Sequence, residues 1–283
     1  MQVSSARHIT GNFNAHLQDC VVLFADEAFW AGDKQSEGTL KTLITEDIIP
    51  IERKGLDVQQ VPNHVHLLIA SNNEWVIPAG EMERRFFVLE VGEENMQDHA
   101  FFEKMQKEMD DGGYEAFLHY LRQLDLSDFD VRQVPRTEAL AHQMMQSLSP
   151  EESWWYYCLS RGCLHPSQFH WEEEVDADYV FESYLMHCDE IGRTRSKLDR
   201  STFGKFLGRM TGHEGIRKKR NVRRRKEVME RGIRRERTSN CTLHIYPPLA
   251  KCRDIFCQRF GITLDWPDEA DAETSVEDEE IPF

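Results

Sequence analysis

Residues Val21 to Lys34 read VVLFADEAFWAGDK. Five apolar residues, Val21 to Ala25, run directly into two adjacent acids, Asp26 and Glu27. A short continuous apolar run of this kind suits a strand buried on both faces of a parallel sheet. Open α/β sheets bind their ligands at the carboxyl ends of such strands. An acid placed there can hold a nucleotide-bound Mg²⁺, and a second acid beside it can polarise the attacking water. The same residues also fit a core strand that ends in two solvated acids, so the choice depends on what surrounds them.

The surroundings supply one negative and three positives. The pattern has the shape of a Walker B element, whose usual companion is a phosphate-cradling G-x-x-x-x-G-K-[ST] loop. No such loop occurs: Gly32-Asp33-Lys34 follows the acids and lacks the spaced upstream glycine. Downstream, Ser36 to Ile44 reads as a helix with Leu40, Leu43 and Ile44 on one face. Ile48, Ile49 and Ile51, then Glu52-Arg53-Lys54-Gly55, then Leu56, Val58 and Val61, read as a hairpin with a basic tip. That tip is either a solvated turn or a contact to a phosphate backbone. Val65 to Asn73, VHLLIASNN, is a second buried-type strand ending in Ser71, Asn72 and Asn73. An asparagine there can form a turn or, beside the acid-tipped strand, orient a water against a γ-phosphate. Glu83-Arg84-Arg85 precedes a third apolar run, Phe86 to Val91. The two arginines suit surface ion pairs or an arginine finger.

Charge is segregated along the chain. The 283 residues carry a formal net charge of −16. From Arg193 to Arg237 there are 18 Lys or Arg and 5 Asp or Glu, a local net of +13 that leaves −29 on the rest. From Asp265 onward there are nine acids and no Lys or Arg, a composition expected to be disordered and able to compete with DNA for the basic block. No apolar run approaches the ~20 residues of a membrane-spanning helix, and the amino terminus has no signal-peptide core, so a cytoplasmic protein is expected. Seven irregularly spaced cysteines point to free thiols rather than a disulfide framework. Cys158, Cys163, His165 and His170 lack the spacing of a zinc finger or ribbon, and Cys252 and Cys257 fit packed thiols.

Beyond Gly92 the pattern becomes helical. Glu93 to Met109, Tyr114 to Leu124 and Thr137 to Leu148 read as helices, the second with Phe117, Leu118, Leu121 and Leu124 on one face. Ser149-Pro150-Glu151-Glu152 starts another, whose Trp154, Trp155, Tyr156 and Tyr157 read as core or interface. Val175 to Cys188 reads as a helix, and Ser201 reads as the N-cap of the next. The basic run Ile216 to Arg237 and the strand-like Thr242 to Tyr246 follow. Helix, helix and basic β-wing is the outline of a winged helix-turn-helix. Its recognition helix would offer Lys205 and Arg209 to DNA, and its wing Arg223, Arg224 and Arg225.

Taken in order, FNAHLQDCVVLFADEAFWAGDK, EGTLKTLI…IERKG, VHLLIASNNEWVIPAG and ERRFFVLEV resemble the ATPase core of superfamily 3 helicases, as found in phage and virus primase–helicase (primase-polymerase) proteins. The resemblance covers about residues 8 to 92, and TFGKFLGRM…YPPLAKCRDIF extends it more weakly through the domain that follows that core. It implies an α/β fold: a partial P-loop AAA+-type core followed by a mostly helical, winged-helix-like region. The expected divisions are 1–92, the partial core; 93–170, a helical linker region; 171–264, the basic domain; and 265–283, the acidic tail.

The resemblance also implies roles. Asp26 would hold Mg²⁺ through water and Glu27 would be the general base. Asn72, or failing it Asn73, would be the sensor asparagine. Arg84 or Arg85 would be the arginine finger, and Arg53 and Lys54 would face DNA. The family is hexameric, binds ATP between subunits and moves along single-stranded DNA. This chain departs from it in lacking the phosphate-binding loop, whose N–H groups and Lys hold the β- and γ-phosphates. Two functions are therefore expected as rivals. One is the C-terminal part of a phage-derived ATP-dependent replicative helicase in a bacterial host, inactive unless another polypeptide supplies that loop. The other is a DNA- or partner-binding module that keeps the ATPase remnant as scaffold. A sheet truncated in this way should expose an apolar face or edge.

Overall fold

The structure, a computed structural model, describes residues 1–5, 7–11, 13–27, 34–81, 83–212, 215–230 and 233–267, with the backbone alone at 34–36, 225–230 and 233–237. Residues 28–33 and the acidic stretch from Asp268 onward lie outside the described residues. The chain divides into two compact units, Met1–Gln143 and Met144–Phe283.

The first unit opens with β1 (Gln2–Val3), α1 (Arg7–Thr10), β2 (Val22–Asp26) and α2 (Lys34–Thr45). β3 (Ile48–Ile51), β4 (Gln59–Pro62) and β5 (His66–Ala70) follow. β1, β2 and β5 form a parallel sheet in that order, with Val22 opposite His66 and Asp26 opposite Ala70. The crossover from β2 to β5 runs through α2 and the antiparallel β3–β4 hairpin, as parallel pairing requires a long connection. Two asparagines lock this connection. Asn63 Nδ2 donates to the carbonyls of Leu43 and Glu46, both at 2.8 Å, satisfying the end of α2. The Asn14 side chain donates to Pro50 O and accepts from Glu52 N, each at 2.8 Å, and so fixes where the hairpin leaves the core.

Among the described residues the sheet is covered on one face only, which corrects the expectation of a strand buried on both faces. Leu23 and Ala25 are fully buried and pack with Val3, Ile9, Leu17, Leu40, Leu43, Ile49 and Ile51. On the opposite face Val22 is 48% exposed and Leu68 53% exposed. The period-two alternation of a strand sends neighbours to opposite faces, and helices cover only one of them. The run Phe86 to Val91 forms no strand; Phe86 is buried while Phe87, Leu89 and Val91 are exposed. A strand needs a ladder partner, and apolar composition alone does not supply one.

The remaining elements of this unit are helices joined by long irregular segments. α3 (His99–Glu108) is capped by Asp98, whose carboxylate accepts from Phe101 N. A kink at Asp111 and Gly112, the latter at φ 93°, leads into α4 (Tyr114–Gln123). Neither α3 nor α4 contains a buried residue. α5 (Glu138–Gln146) brings in buried Gln143. Its Oε1 accepts from Val76 N at 2.7 Å and its Nε2 donates to Glu74 O at 2.6 Å, tying the segment after β5 to α5.

The second unit is built on α6 (Pro150–Arg161), which starts with a complete Ser149–Glu152 capping box. Trp154 and Trp155 on α6 are fully buried, so the aromatic cluster is core. β6 (Glu174–Asp176) and α7 (Ala177–Glu190) replace the single helix expected over Val175 to Cys188; Asp176 ends the strand and caps α7 by accepting from Asp178 N. α8 (Arg200–Met210) is capped by Asp199, not Ser201, because the Asp199 carboxylate reaches both Ser201 N and Thr202 N. β7 (Arg217–Glu230) and β8 (Ile233–Ile245) form a long antiparallel ribbon, and β6 pairs with β8 to give the order β6-β8-β7. α9 (Leu249–Phe260) buries Cys252, Phe256 and Phe260. Trp154 meets the Tyr184 and Phe203 rings edge-on, and its Nε1 donates to Ser183 Oγ at 3.0 Å.

Candidate functional site

The parallel register of β2 and β5 puts both of their carboxyl ends at one edge of the sheet. Asp26 stands opposite Ala70, so Glu27 and the Ser71-Asn72-Asn73 turn emerge side by side. Glu27 N donates to Ala70 O at 2.8 Å, extending the ladder one residue past the strand. Glu27 itself adopts φ 55°, the left-handed region that a residue with a Cβ rarely enters. Such a residue persists only where its surroundings hold it, and such positions concentrate at functional sites. The Glu27 side chain is exposed.

Asp26 is half-buried and accepts from Gln2 Nε2 at 3.0 Å. Sequence reading passed over Gln2; a separation of 24 residues leaves no local signal, and only the β1–β2 pairing brings the two together. The two asparagines differ. Asn73 donates to Ser71 Oγ through both its backbone N and its Nδ2, at 3.2 and 3.0 Å, and so closes a turn. Asn72 stands exposed beside it.

The arginine pair is also resolved. Glu83 is buried and its Oε1 accepts from Arg84 N at 2.8 Å and Arg85 N at 2.7 Å. Arg85 turns back toward the same carboxylate at 3.9 Å, whereas the Arg84 side chain is exposed. Of the two, Arg84 is the cation presented outward. At the β3–β4 turn, Gly55 takes φ 79° and leaves Arg53 and Lys54 exposed; Arg53 hydrogen-bonds Gln18.

In the second unit Lys205 and Arg209, one turn apart on α8, are both exposed on one face. Arg209 lies 5.8 Å over the Phe206 ring. Arg223 and Arg224 are exposed on β7, opposite Asn240 and Ser239. As consecutive strand residues they face opposite sides of the ribbon. Arg225 pairs with Thr238 in the ladder, and its side chain lies outside the described residues. A register shift between Lys219 and Val222, with Asn221 at φ 59°, changes which residues face which side partway along the ribbon. At its root Lys219 pairs with Glu174.

Burial dominates the titration of this unit. It pushes the Cys158 thiol well up and the Cys252 thiol up to about 12, so these are not thiolate nucleophiles. All seven cysteines are free. Burial, reinforced by Lys218 and Arg200, lowers His244 to about 4 against a smaller opposing pull from Asp176. Among the described residues no three of His, Cys, Asp and Glu gather as a metal site. Among them, too, no helix is long and apolar enough to cross a membrane.

A family model described as a family of unknown function (DUF5906) matches residues 1–85, which contain the acid, asparagine and arginine positions. No curated protein matches. Among solved structures, the apo C-terminal region of NrS-1 (305–718) is similar over 86% of this chain and 59% of its own, with TM-score 0.54 and 15% identity. An A-form apo structure of that region is similar over 86% and 58%, with TM-score 0.50 and 17% identity. This chain thus spans somewhat under two thirds of the NrS-1 region, and what the two share is the fold, a mixed α/β architecture.

Proposed function

We propose that this chain is the C-terminal part of a phage-type, ATP-dependent replicative primase–helicase, with the NrS-1 region as its structural counterpart. The observation that carries the reading is the β2–β5 register, which gathers Asp26, Glu27 and Asn72 at one sheet end. In this reading Asp26 holds Mg²⁺ through water, Glu27 is the general base and Asn72 orients the attacking water. Arg84 reaches a phosphate across a subunit boundary in a hexamer, and Arg53 and Lys54 face single-stranded DNA. The residues present fit a Mg²⁺–nucleotide only in part. The gathering of the acids and the asparagine at one sheet end supports the reading, but the sequence has no P-loop to grip the β- and γ-phosphates. No catalytic step is therefore assigned to this chain alone.

The test is an ATPase assay on the purified chain, with and without single-stranded DNA. The expected result is no turnover above background. Co-expression with a P-loop-bearing polypeptide encoded immediately upstream should restore turnover that Glu27→Gln abolishes. Robust DNA-stimulated turnover by the chain alone, lost in Glu27→Gln, would overturn the incompleteness; restored turnover indifferent to Glu27→Gln would overturn the acid assignment.

A second reading, a DNA-binding module, is favoured by one observation. The order α6-β6-α7-α8-β7-β8, with a three-stranded sheet and a basic ribbon, supports reading this unit as a winged helix. Lys205 and Arg209 on α8 and the ribbon arginines would contact the phosphate backbone.

A further inference from the structure

Beyond α9 the chain doubles back along that helix. Gly261 takes φ 63° at the turn, and Ile262 N donates to Cys257 O at 3.0 Å. Trp266 then packs against Phe256, with ring centres 6.0 Å apart, and Arg253 lies 5.2 Å over the Trp266 ring. One residue on, Pro267 O accepts from Arg253 Nη2 at 3.3 Å. Residues 257, 256 and 253 are met in that order, so the returning segment climbs α9 toward its amino end. At Pro267 it has reached a groove there, in whose wall Arg253 stands.

The groove holds about 350 Å³, near the lower end of ligand pockets, so it takes a few residues of peptide and not a larger partner. Arg161, Phe169, Trp171, Glu173 and Leu249 line it with Arg253. Phe169 is 76% exposed. Trp171 is fixed, its Nε1 donating to Pro247 O at 3.0 Å and its ring meeting Trp155 edge-on. Arg161 donates to Tyr157 Oη at 2.7 Å and has no ion pair among the described residues. The charged groups of the lining are thus two arginines and one glutamate, beside aromatic rings of which one is left in solvent.

Residues 268–283 lie outside the described residues. Their sequence, DEADAETSVEDEEIPF, has eight acids and no Lys or Arg. At one place in it a run of acids meets a run of apolar residues: Glu277-Asp278-Glu279-Glu280, then Ile281-Pro282-Phe283. We propose that residues 277–283 dock into this groove of their own chain, with Ile281, Pro282 and Phe283 against Phe169 and Trp171 and the acids beside Arg161 and Arg253. Three observations select that occupant. The first is position, because Pro267 already touches the wall of the groove. The second is reach, because residues 268–276 can extend up to about 30 Å. A tether this short sets an effective concentration on the order of 1 mM, so even a weak contact is held closed. The third is chemistry. Acids followed by an apolar triplet match arginines beside exposed aromatic surface, with charge giving the specificity and ring burial the energy. The proposal does not depend on the nucleotide reading.

The test measures fluorescence anisotropy of a labelled peptide of residues 277–283 with the nuclease-treated full chain. Ile281→Asp combined with Phe283→Asp should disarm the chain's own segment and leave the groove open, so this variant should bind the peptide saturably. Wild type, with its groove filled, should bind roughly tenfold more weakly, as expected for a contact of about 100 µM opposed by about 1 mM in cis. Adding Phe169→Ala or Arg161→Glu to the disarmed chain should each weaken peptide binding by about tenfold or more. Phe169 is exposed, so its removal leaves the core intact, and an unchanged near-ultraviolet signal from buried Trp154 and Trp155 checks the fold of the Arg161→Glu chain. Absence of saturable binding to the disarmed chain up to about 1 mM, the tethered concentration, would overturn the proposal. Equal binding by wild type and the disarmed chain would overturn it too, and would leave the groove to a peptide from another protein. Binding that survives both groove changes but is lost in Arg223→Glu combined with Arg224→Glu would overturn it by seating the acidic segment on the ribbon.

Discussion

If the second unit binds DNA as proposed, replacing Lys205, Arg209, Arg223 and Arg224 together by Ala weakens that binding by an amount set by salt. All four side chains are exposed, so their removal leaves the core of the second unit intact. Lys205 and Arg209 share a face of α8 and can meet one DNA surface together. Arg223 and Arg224 point to opposite sides of β7, so that surface meets only one of them. On that reading the variant would give up about three phosphate contacts, and the slope of log K against log salt would become shallower by about 2.7 on duplex or about 2.1 on single strands. Between about 50 and about 200 mM salt, wild type should lose about fortyfold more duplex affinity than the variant. Fluorescence anisotropy with labelled oligonucleotides over a salt series measures both slopes. An unchanged slope would refute the assignment of these residues to phosphate, whatever happened to the affinity at one salt concentration. The difference between the duplex and single-strand slopes also reports which form the ribbon prefers.

Two further predictions concern stability. Leu23→Ala should cost about 3 kcal/mol in urea unfolding because it opens a cavity under the sheet, whereas Leu68→Ala on the uncovered face should cost less than about 1 kcal/mol; equal losses would mean that the second face is covered after all. Folded His244 titrates near 4, below its unfolded value of about 6.5. The unfolded chain therefore binds the extra proton first, so stability is full above about pH 6.5 and falls as pH drops toward about 4. His244→Gln should flatten that slope in pH-dependent denaturation of the second unit, and an unaltered slope would exclude His244 as its source.

The first unit shows why some of this was legible in the chain and some was not. Val22 to Asp26 forms its strand because local composition and the abrupt change to acids are enough to define one. The β3–β4 hairpin likewise follows from two apolar runs around a glycine able to take a positive φ. The run Phe86 to Val91 has the same composition as a strand and is not one, because pairing depends on a neighbour remote in sequence. In the second unit the helix expected from Val175 begins two residues late because Val175 pairs with His244, far along the chain. Asp199 displaces Ser201 as the cap of α8 because a carboxylate two residues earlier can satisfy two N–H groups at once.

The sequence by itself singled out the candidate residues: the acids Asp26 and Glu27, the asparagines, the arginine pair and the basic run, each recognisable from residue type and short spacing. Tertiary structure alone decided how they relate. The β2–β5 register set Glu27 beside Asn72 across 45 residues of chain. Buried Glu83 drew Arg85 back and left Arg84 outward. One-sided packing left Val22 and Leu68 in solvent. Side-chain type and local spacing act within a few residues, whereas strand register, burial and the partner of a charge are set by segments that meet only when the chain is folded.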